Sequence, residues 1–233
     1  MKCVAVIPAR GGSKGIPRKN LQLLAGKPLL AHSLISALNT PSIERVFVST
    51  DDAEIASVAR EYGGEVILRP KEISDDGASS ESALLHALAF LQKSEGYEPD
   101  VLVFLQCTSP LTLAEDIEGT VQALIQQQAD CALSVTPFHY FLWGYGPDQE
   151  VIAINHDKNY RPRRQDRDPQ FVETGAVYVM KSKGFLRARH RFFGRIAMYY
   201  MPIERRLEID DLVDLQVAEV LLQHQSHSSA GTR

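Results

Sequence analysis

Cys3-Val-Ala-Val-Ile-Pro-Ala-Arg-Gly-Gly-Ser-Lys-Gly-Ile-Pro-Arg-Lys-Asn20 sets an unbroken apolar run directly against a loop rich in glycine and cations. The run Cys3 to Pro8 contains no polar position, which predicts a strand buried on both faces. Gly11, Gly12 and Gly15 let the following backbone approach a ligand closely and turn its N–H groups inward. Arg10, Lys14 and Lys19 bring the charge to neutralise a polyanion, arginine with paired donors. No Asp or Glu occurs before Glu44, whereas Lys2, Arg10, Lys14, Arg18, Lys19 and Lys27 all fall in that stretch. A solvated basic face is the plainer alternative. The loop is no Walker loop, having no G-K-[ST], and no dinucleotide fingerprint, having no G-x-G-x-x-G.

Outward from this stretch, apolar runs alternate with helical patterns. Arg45–Ser49, Val101–Leu105 and Cys131–Val135 read as further buried strands, and Ala176–Met180 and Ile196–Tyr200 continue the series. Amphipathic segments lie at about 28–39, 51–62, 80–94 and 113–128, with a final helix at about 211–223. Pro28 suits a first helical turn, Asp51 with Glu54 a helix start, and Thr112 with Glu115 a capping box. This alternation predicts an α/β fold around a mostly parallel, doubly wound sheet. Ligands in such sheets bind beyond the carboxyl ends of the strands, which directs attention to the segments after residues 8, 49, 68, 105 and 180. Between about 137 and 170 the rhythm breaks: an aromatic stretch, Pro137 to Tyr145, precedes a polar, basic one. It reads as a projecting arm inserted into a single domain spanning 1–225, either a lid or an oligomer contact, with a local core as the alternative. Residues 226–233 read as a disordered tail.

Composition closes off several classes. The chain has 233 residues and a formal charge of −4, so nothing draws it as a whole to nucleic acid. No stretch reaches the roughly 20 apolar residues of a membrane helix, and no signal peptide is expected. Cys3, Cys107 and Cys131 show no paired spacing, and the seven histidines form no ligand cluster. These features predict a cytoplasmic protein with reduced thiols.

The residues also carry a resemblance. Ile7-Pro-Ala-Arg-Gly-Gly-Ser-Lys-Gly-Ile-Pro-Arg-Lys-Asn20 resembles the signature of CMP-sialic acid synthetases, also called acylneuraminate cytidylyltransferases. Leu68 to Ser80 is similar to that family's nucleotide-base segment and Leu105-Gln-Cys-Thr-Ser-Pro-Leu111 to its L-Q-P-T-S-P-L. Arg163-Arg-Gln-Asp166 with Glu173-Thr-Gly-Ala-Val-Tyr178 is similar to R-R-Q-D followed by E-N-G-A-x-Y. The likeness runs in order from residue 2 to about 222. It implies a nucleotidyltransferase fold, Rossmann-like in its winding, a homodimer built through the arm, and a Mg2+-dependent transfer of CMP from CTP to a free nine-carbon acidic sugar.

The resemblance also implies roles. Arg10, with the backbone of Gly11, Gly12 and Ser13, would hold the triphosphate, Lys19 would balance the leaving pyrophosphate, and Asn20 would touch the nucleotide unless it caps a turn. Arg69 and Ser80 match residues used on the cytidine, although Ser80 also suits a helix cap. Gln106, Arg163, Arg164 and Tyr178 fall in the sugar half, Arg164 being the closer match to the functional arginine and Tyr178 also a fair core residue. Glu208 and Asp210, one residue apart on an extended segment, would face one Mg2+, with N-capping by Asp210 as the rival. The chain departs from the family at Glu208 (usually Asp), Thr112 (often Arg), Cys107 (Pro) and Thr174 (Asn). The nucleotide half is thereby better specified than the sugar half. Two other readings stay open: a cytidylyltransferase for an eight-carbon ulosonic acid, and a non-catalytic nucleotide-binding protein that keeps the loop.

Overall fold

The computed structural model describes residues 1–13, 15–75 and 77–230, with 225–230 as backbone alone. Among them seven strands form the central sheet: β1 (Cys3–Pro8), β4 (Arg45–Thr50), β5 (Glu65–Leu68), β6 (Val101–Leu105), β7 (Cys131–Phe138), β10 (Gln170–Lys181) and β11 (Ile196–Tyr200). Their order is β11-β7-β10-β6-β1-β4-β5. Two small ribbons lie outside it, β2 (Leu23–Leu24) with β3 (Lys27–Pro28) and β8 (Trp143–Tyr145) with β9 (Val151–Ala153). The helices are α1 (Leu29–Leu38), α2 (Ala53–Glu61), α3 (Ser80–Glu95), α4 (Ala114–Gln126), α5 (Ser182–Ala188) and α6 (Leu212–Ala230).

The unbroken apolar runs have the cause expected of them. Ala5, Ile7, Val48, Val103 and Leu105 point to one face and pack with Leu34 of α1, Ile55 of α2 and Val121 of α4. Val4, Val6, Phe47, Leu102 and Phe104 point to the other, against Leu84, Leu88 and Leu91 of α3 and Phe185 of α5. Each such side chain, fully buried, contributes about 1.5–3 kcal/mol. A third, smaller cluster joins Ile16 of the glycine-rich loop to Leu24, Leu29, Ile209 and Ala218. That cluster pins the loop to the chain's last quarter.

The sheet is mostly parallel, as expected, with β1 beside β4 and β6, β4 beside β5, and β11 beside β7. β10 is the exception, antiparallel to both β6 and β7. No α-helix separates β7 from β10, so the chain returns antiparallel instead of crossing over. The carboxyl end of β10 therefore lies at the far end of the sheet, with Lys181 beside Val101, and the segment after residue 180 leaves the list of ligand-side segments. Its amino-terminal half borders the ligand side instead. β10 also begins earlier than the Ala176 expected, and the arm grows from its pairing with β7, Gln170 opposite Phe138, out to the β8–β9 ribbon.

Three helix starts, those of α1, α2 and α4, fall one residue later than the sequence suggested. The α2 cap is Asp52, not Asp51, its carboxylate accepting from the N–H groups of Glu54 and Ile55. At α4 the cap position is Leu113, and Asp116 reaches back to accept from its N–H at 2.9 Å. Pro28 occupies the cap position of α1. Helix α6 runs beyond the 223 expected; of the tail at 226–233, residues 226–230 continue this helix and 231–233 lie outside the described residues.

Candidate active site

At the carboxyl ends of β1, β5 and β6 lies a cavity of about 460 Å³. Five separate stretches of sequence meet there. Arg10, Ser13, Lys19 and Asn20 come from the glycine-rich loop, Arg69 from the end of β5, and Ser79 and Ser80 from the start of α3. Phe104, Gln106, Cys107 and Thr108 come from the end of β6, and Asp210 from the segment before α6. Three cations thus face one carboxylate, an arrangement suited to a polyanion.

Two of the loop's three glycines, Gly11 and Gly15, serve contacts that only a residue without Cβ permits. A Cβ on Gly11 would sit 2.6 Å from Asp52 Oδ2, and one on Gly15 would sit 2.6 Å from the Asp210 carbonyl oxygen. The Gly11 N–H donates to Asp51 Oδ1 at 3.1 Å. Gly11 and the exposed Gly12 consequently stay outside the cavity lining, and of the backbone stretch expected to hold phosphate only Ser13 reaches it. Asn20, buried within a 3₁₀ turn, donates to the Arg10 carbonyl at 3.0 Å, which fixes the loop's return. Lys19 donates to the Ile209 carbonyl at 2.8 Å and stands 3.7 Å from Asp210 Oδ1. Arg10 donates to the Asp75 carbonyl at 2.8 Å. Arg18 turns away to pair with Asp52 and Glu54, and Lys14 lies outside the described residues.

Arg69 stands out. It is 8% exposed, lines the cavity, and its Nε has no hydrogen-bond partner. Burial holds its pKa below the usual guanidinium value, with Asp51 opposing and Arg10 adding to the effect. A buried cation with an unused donor is costly unless a ligand completes it. Ser79 caps α3 by accepting from the Ser82 N–H, so Ser80 is free of that duty and lines the cavity.

The sugar half is rearranged relative to expectation. Gln106 lines the cavity, but Arg163 and Arg164 are exposed on the arm, outside the cavity lining, and Arg163 is paired with Asp166 at 2.7 Å. Tyr178 is a core residue, 5% exposed and stacked on Phe104 at 5.4 Å, with its hydroxyl donating to Glu173. It backs the cavity wall through Phe104. The strand register explains this, since Tyr178 lies directly opposite Phe104. Burial, followed by Glu173, raises the pKa of this phenol. Glu208 does not line the cavity either; its Oε1 accepts from Thr108 Oγ1 at 3.1 Å and Gln106 Nε2 at 3.3 Å. Burial, joined by the charge of Asp210, raises its pKa. Of the four departures from the family pattern only Cys107 lines the cavity. Burial pushes that thiol up to about 12, so it faces the site as a neutral S–H. Thr112 packs beside Ser36 of α1, and Thr174 bonds Ser134 at 2.6 Å.

Sequence reasoning missed Thr108 and the pair Glu81–Arg191. Arg191 bonds Glu81 at 2.7 Å and lies over the rings of Phe104 and Tyr178, at 5.0 and 4.6 Å. It ties the first turn of α3, beside Ser80, to the cavity wall. Its place in the turn between α5 and β11, remote in sequence from every partner, gives no local signal.

Among the described residues no three His, Cys, Asp or Glu side chains gather to hold a metal ion. A Mg2+ ion seldom needs such a cage; it keeps several waters and binds through one or two carboxylates plus substrate phosphates. Asp210, 80% exposed and on the cavity wall, fits that pattern. Among the described residues no helix is long and apolar enough to cross a membrane.

A strand-end cavity of this polarity in a doubly wound sheet defines a nucleotide-handling enzyme fold, and comparison with known proteins agrees. The cytidylyltransferase family profile matches residues 4–230. The pseudaminic acid cytidylyltransferase of Campylobacter jejuni subsp. jejuni serotype O:23/36 (strain 81-176) is 34% identical over 233 residues, 99% of this chain and 100% of that protein. The N-acylneuraminate cytidylyltransferase of Escherichia coli O18:K1:H7 (strain RS218 / NMEC) is 32% identical over 97% of this chain, and N-acylneuraminate cytidylyltransferase B of Danio rerio 37% over 92%. The chain spans only 53% and 50% of those two longer relatives. In fold, it is similar to CMP:2-keto-3-deoxy-manno-octonic acid synthetase complexed with CTP, at TM-score 0.73 and 19% identity over 97% of this chain and 100% of that one. It is also similar to the 4-diphosphocytidyl-2C-methyl-D-erythritol synthase of Anaerococcus prevotii, at TM-score 0.69 and 13% identity, over 95% of this chain and 98% of that one. The chain belongs to the cytidylyltransferase family.

Proposed function

We propose that the protein transfers CMP from CTP to a free nine-carbon acidic sugar, a sialic acid or a related nonulosonic acid such as pseudaminic acid. The observation that carries this reading is the cavity itself, which Arg10, Lys19, Arg69 and Gln106 line together. The full-length likeness to a pseudaminic acid enzyme supports the choice of sugar class. A sugar hydroxyl attacks the α-phosphorus, a new P–O bond forms, and the bond to pyrophosphate breaks. Arg10 and Ser13 hold the triphosphate, Lys19 offsets charge on the departing pyrophosphate, and Arg69 with Ser80 reads the cytosine and ribose. Asp210 would hold Mg2+ with the substrate phosphates, and the ion would supply charge neutralisation and a more acidic nucleophile.

The arm presents Tyr140, Trp143, Tyr145 and Tyr160 to solvent, each more than half exposed. We assign it to a homodimer contact; docked there, the exposed Arg163 and Arg164 have a partner surface to meet. We assign the reaction to the cytoplasm, a reading that CTP as substrate and three free cysteines support.

Pyrophosphate release is measured with CTP, Mg2+ and a panel of eight- and nine-carbon acids. Turnover confined to nine-carbon acids is the expected result. Turnover confined to eight-carbon acids moves the protein to the ulosonic-acid reading, and CTP binding without turnover on any acid makes it a binding protein. Arg10→Ala is expected to lower kcat/KM at least a hundredfold with far-UV circular dichroism unchanged; parental rates would remove the loop from the mechanism.

A further inference from the structure

The segment 207–211 lies as a strap across the site. Its main chain is pinned on both sides, the Ile209 N–H donating to the Thr108 carbonyl at 2.7 Å and Lys19 donating to the Ile209 carbonyl at 2.8 Å. This leaves the two acids of the strap with different surroundings. Asp210 lines the main cavity, whereas Glu208 lines a separate hollow of about 330 Å³ with Arg206, Leu207 and Leu221. The spacing expected both on one ion, and of the two only Asp210 lines the main cavity.

Glu208 fits its place closely. β10 carries a register shift between Glu173 and Tyr178, and within it Gly175 takes φ +71°. A Cβ on Gly175 would sit 2.8 Å from Glu208 Oε2. The bulge and the missing Cβ together make the recess that admits the carboxylate. Within it Oε1 accepts from both Thr108 and Gln106. An ionised carboxylate can only accept, so it draws the Gln106 NH₂ group toward itself and turns the amide oxygen the other way. Gln106 also lines the main cavity.

We infer that Glu208 is a positioning residue that holds Gln106 with its amide oxygen offered to a hydroxyl of the acidic sugar, leaving Asp210 as the one protein carboxylate on the divalent ion. The inference rests on the function proposed above. The extra methylene of glutamate over aspartate supplies the reach to Gln106 and Thr108 that the recess requires.

Two variants separate the roles. Glu208→Gln keeps an oxygen that accepts from Gln106 but loses the charge; Glu208→Leu loses both at similar size. Mn2+ affinity is read by electron paramagnetic resonance in the complex with a non-hydrolysable CTP analogue. N-acetylneuraminic and pseudaminic acid binding is read by calorimetry. Both variants are expected to hold Mn2+ within twofold of the parent, whereas Asp210→Asn weakens it about tenfold. Glu208→Leu is expected to weaken acid binding about tenfold, the loss of a hydrogen bond to a charged group, and Glu208→Gln to restore most of it. Loss of Mn2+ affinity in Glu208→Gln comparable to Asp210→Asn, or equal acid binding by all forms, overturns the inference. A third readout needs no sugar: the Gln106 side-chain amide resonance, assigned by its loss in Gln106→Ala, is expected to shift in Glu208→Leu. If that resonance stays put the inference falls, whereas failure of the parent to bind any acid sinks only the proposed sugar.

Discussion

Arg69 is a single residue held at a cost. Its guanidinium is buried, its Nε lacks a partner, and burial already weakens its hold on the proton. Removing the charge is expected to stabilise the empty protein or leave it unchanged, because no internal bond to Nε is lost. Arg69→Met should therefore keep or raise the melting temperature while weakening CTP binding at least tenfold. Scanning fluorimetry and calorimetry read the two effects, and a lowered melting temperature with intact CTP affinity would make Arg69 a structural cation. The loop glycines teach a related point. Their composition suggested a phosphate cradle, yet Gly11 and Gly15 are required by the oxygens of Asp52 and Asp210 pressed against them.

At the scale of the element, helix ends and buried pairs set the local energetics. Asp52 caps α2 and also takes Arg18 at 2.7 Å. Its backbone bond from Ile55, then Arg18, holds its carboxyl below the usual value of 3.8 despite opposition from burial. For an acid with a depressed folded pKa, the stabilisation is complete above the unfolded value and disappears as pH falls through the folded one. Asp52→Ala is thus expected to cost about 1 kcal/mol at pH 7, a gap in urea stability that narrows as the pH is taken below 3.8. A gap independent of pH would leave only the packing of the cap. Behind β11, Asp116 is fully buried and bonds Arg205 at 2.7 Å and the Tyr199 hydroxyl at 3.3 Å. Arg205→Met strands that carboxylate and is expected to destabilise the fold by about 3–5 kcal/mol. Restoring a neutral partner with Asp116→Asn in the same chain should recover part of the loss.

Over the whole molecule, one sheet divides the labour. Its carboxyl edge gathers the cavity, and the β7–β10 pairing leads out to the separate β8–β9 ribbon. Phe141 anchors the arm from within, between the guanidinium groups of Arg161 and Arg167 at 4.4 and 4.3 Å. Of the outward aromatics, Tyr140 stacks on His139 at 4.6 Å and Trp143 meets His156 edge-on at 5.0 Å. If they form the contact between two copies, Trp143→Glu with Tyr145→Glu should convert a dimer to a monomer in light scattering, with the sheet intact by circular dichroism. A parent chain that is already monomeric would refute the assignment of the arm.

The sequence by itself determined the sheet, both of its covering layers and the loop side of the cavity. Those features rest on local patterns: an apolar run such as Cys3–Ile7 must be covered on both faces, and Arg10, Ser13, Lys19 and Asn20 enter the cavity with the loop that follows it. Only the tertiary structure decided the direction of β10, the burial of Tyr178 and the different surroundings of Glu208 and Asp210. An apolar pattern carries burial but no strand direction, although the absence of an α-helical segment between 138 and 170 held the clue to an antiparallel return. The fate of Glu208 depends on a bulge in β10 and a strap fastened by Lys19 and Thr108, partners up to 190 positions away. Such contacts exist only once the distant segments have been packed against one another.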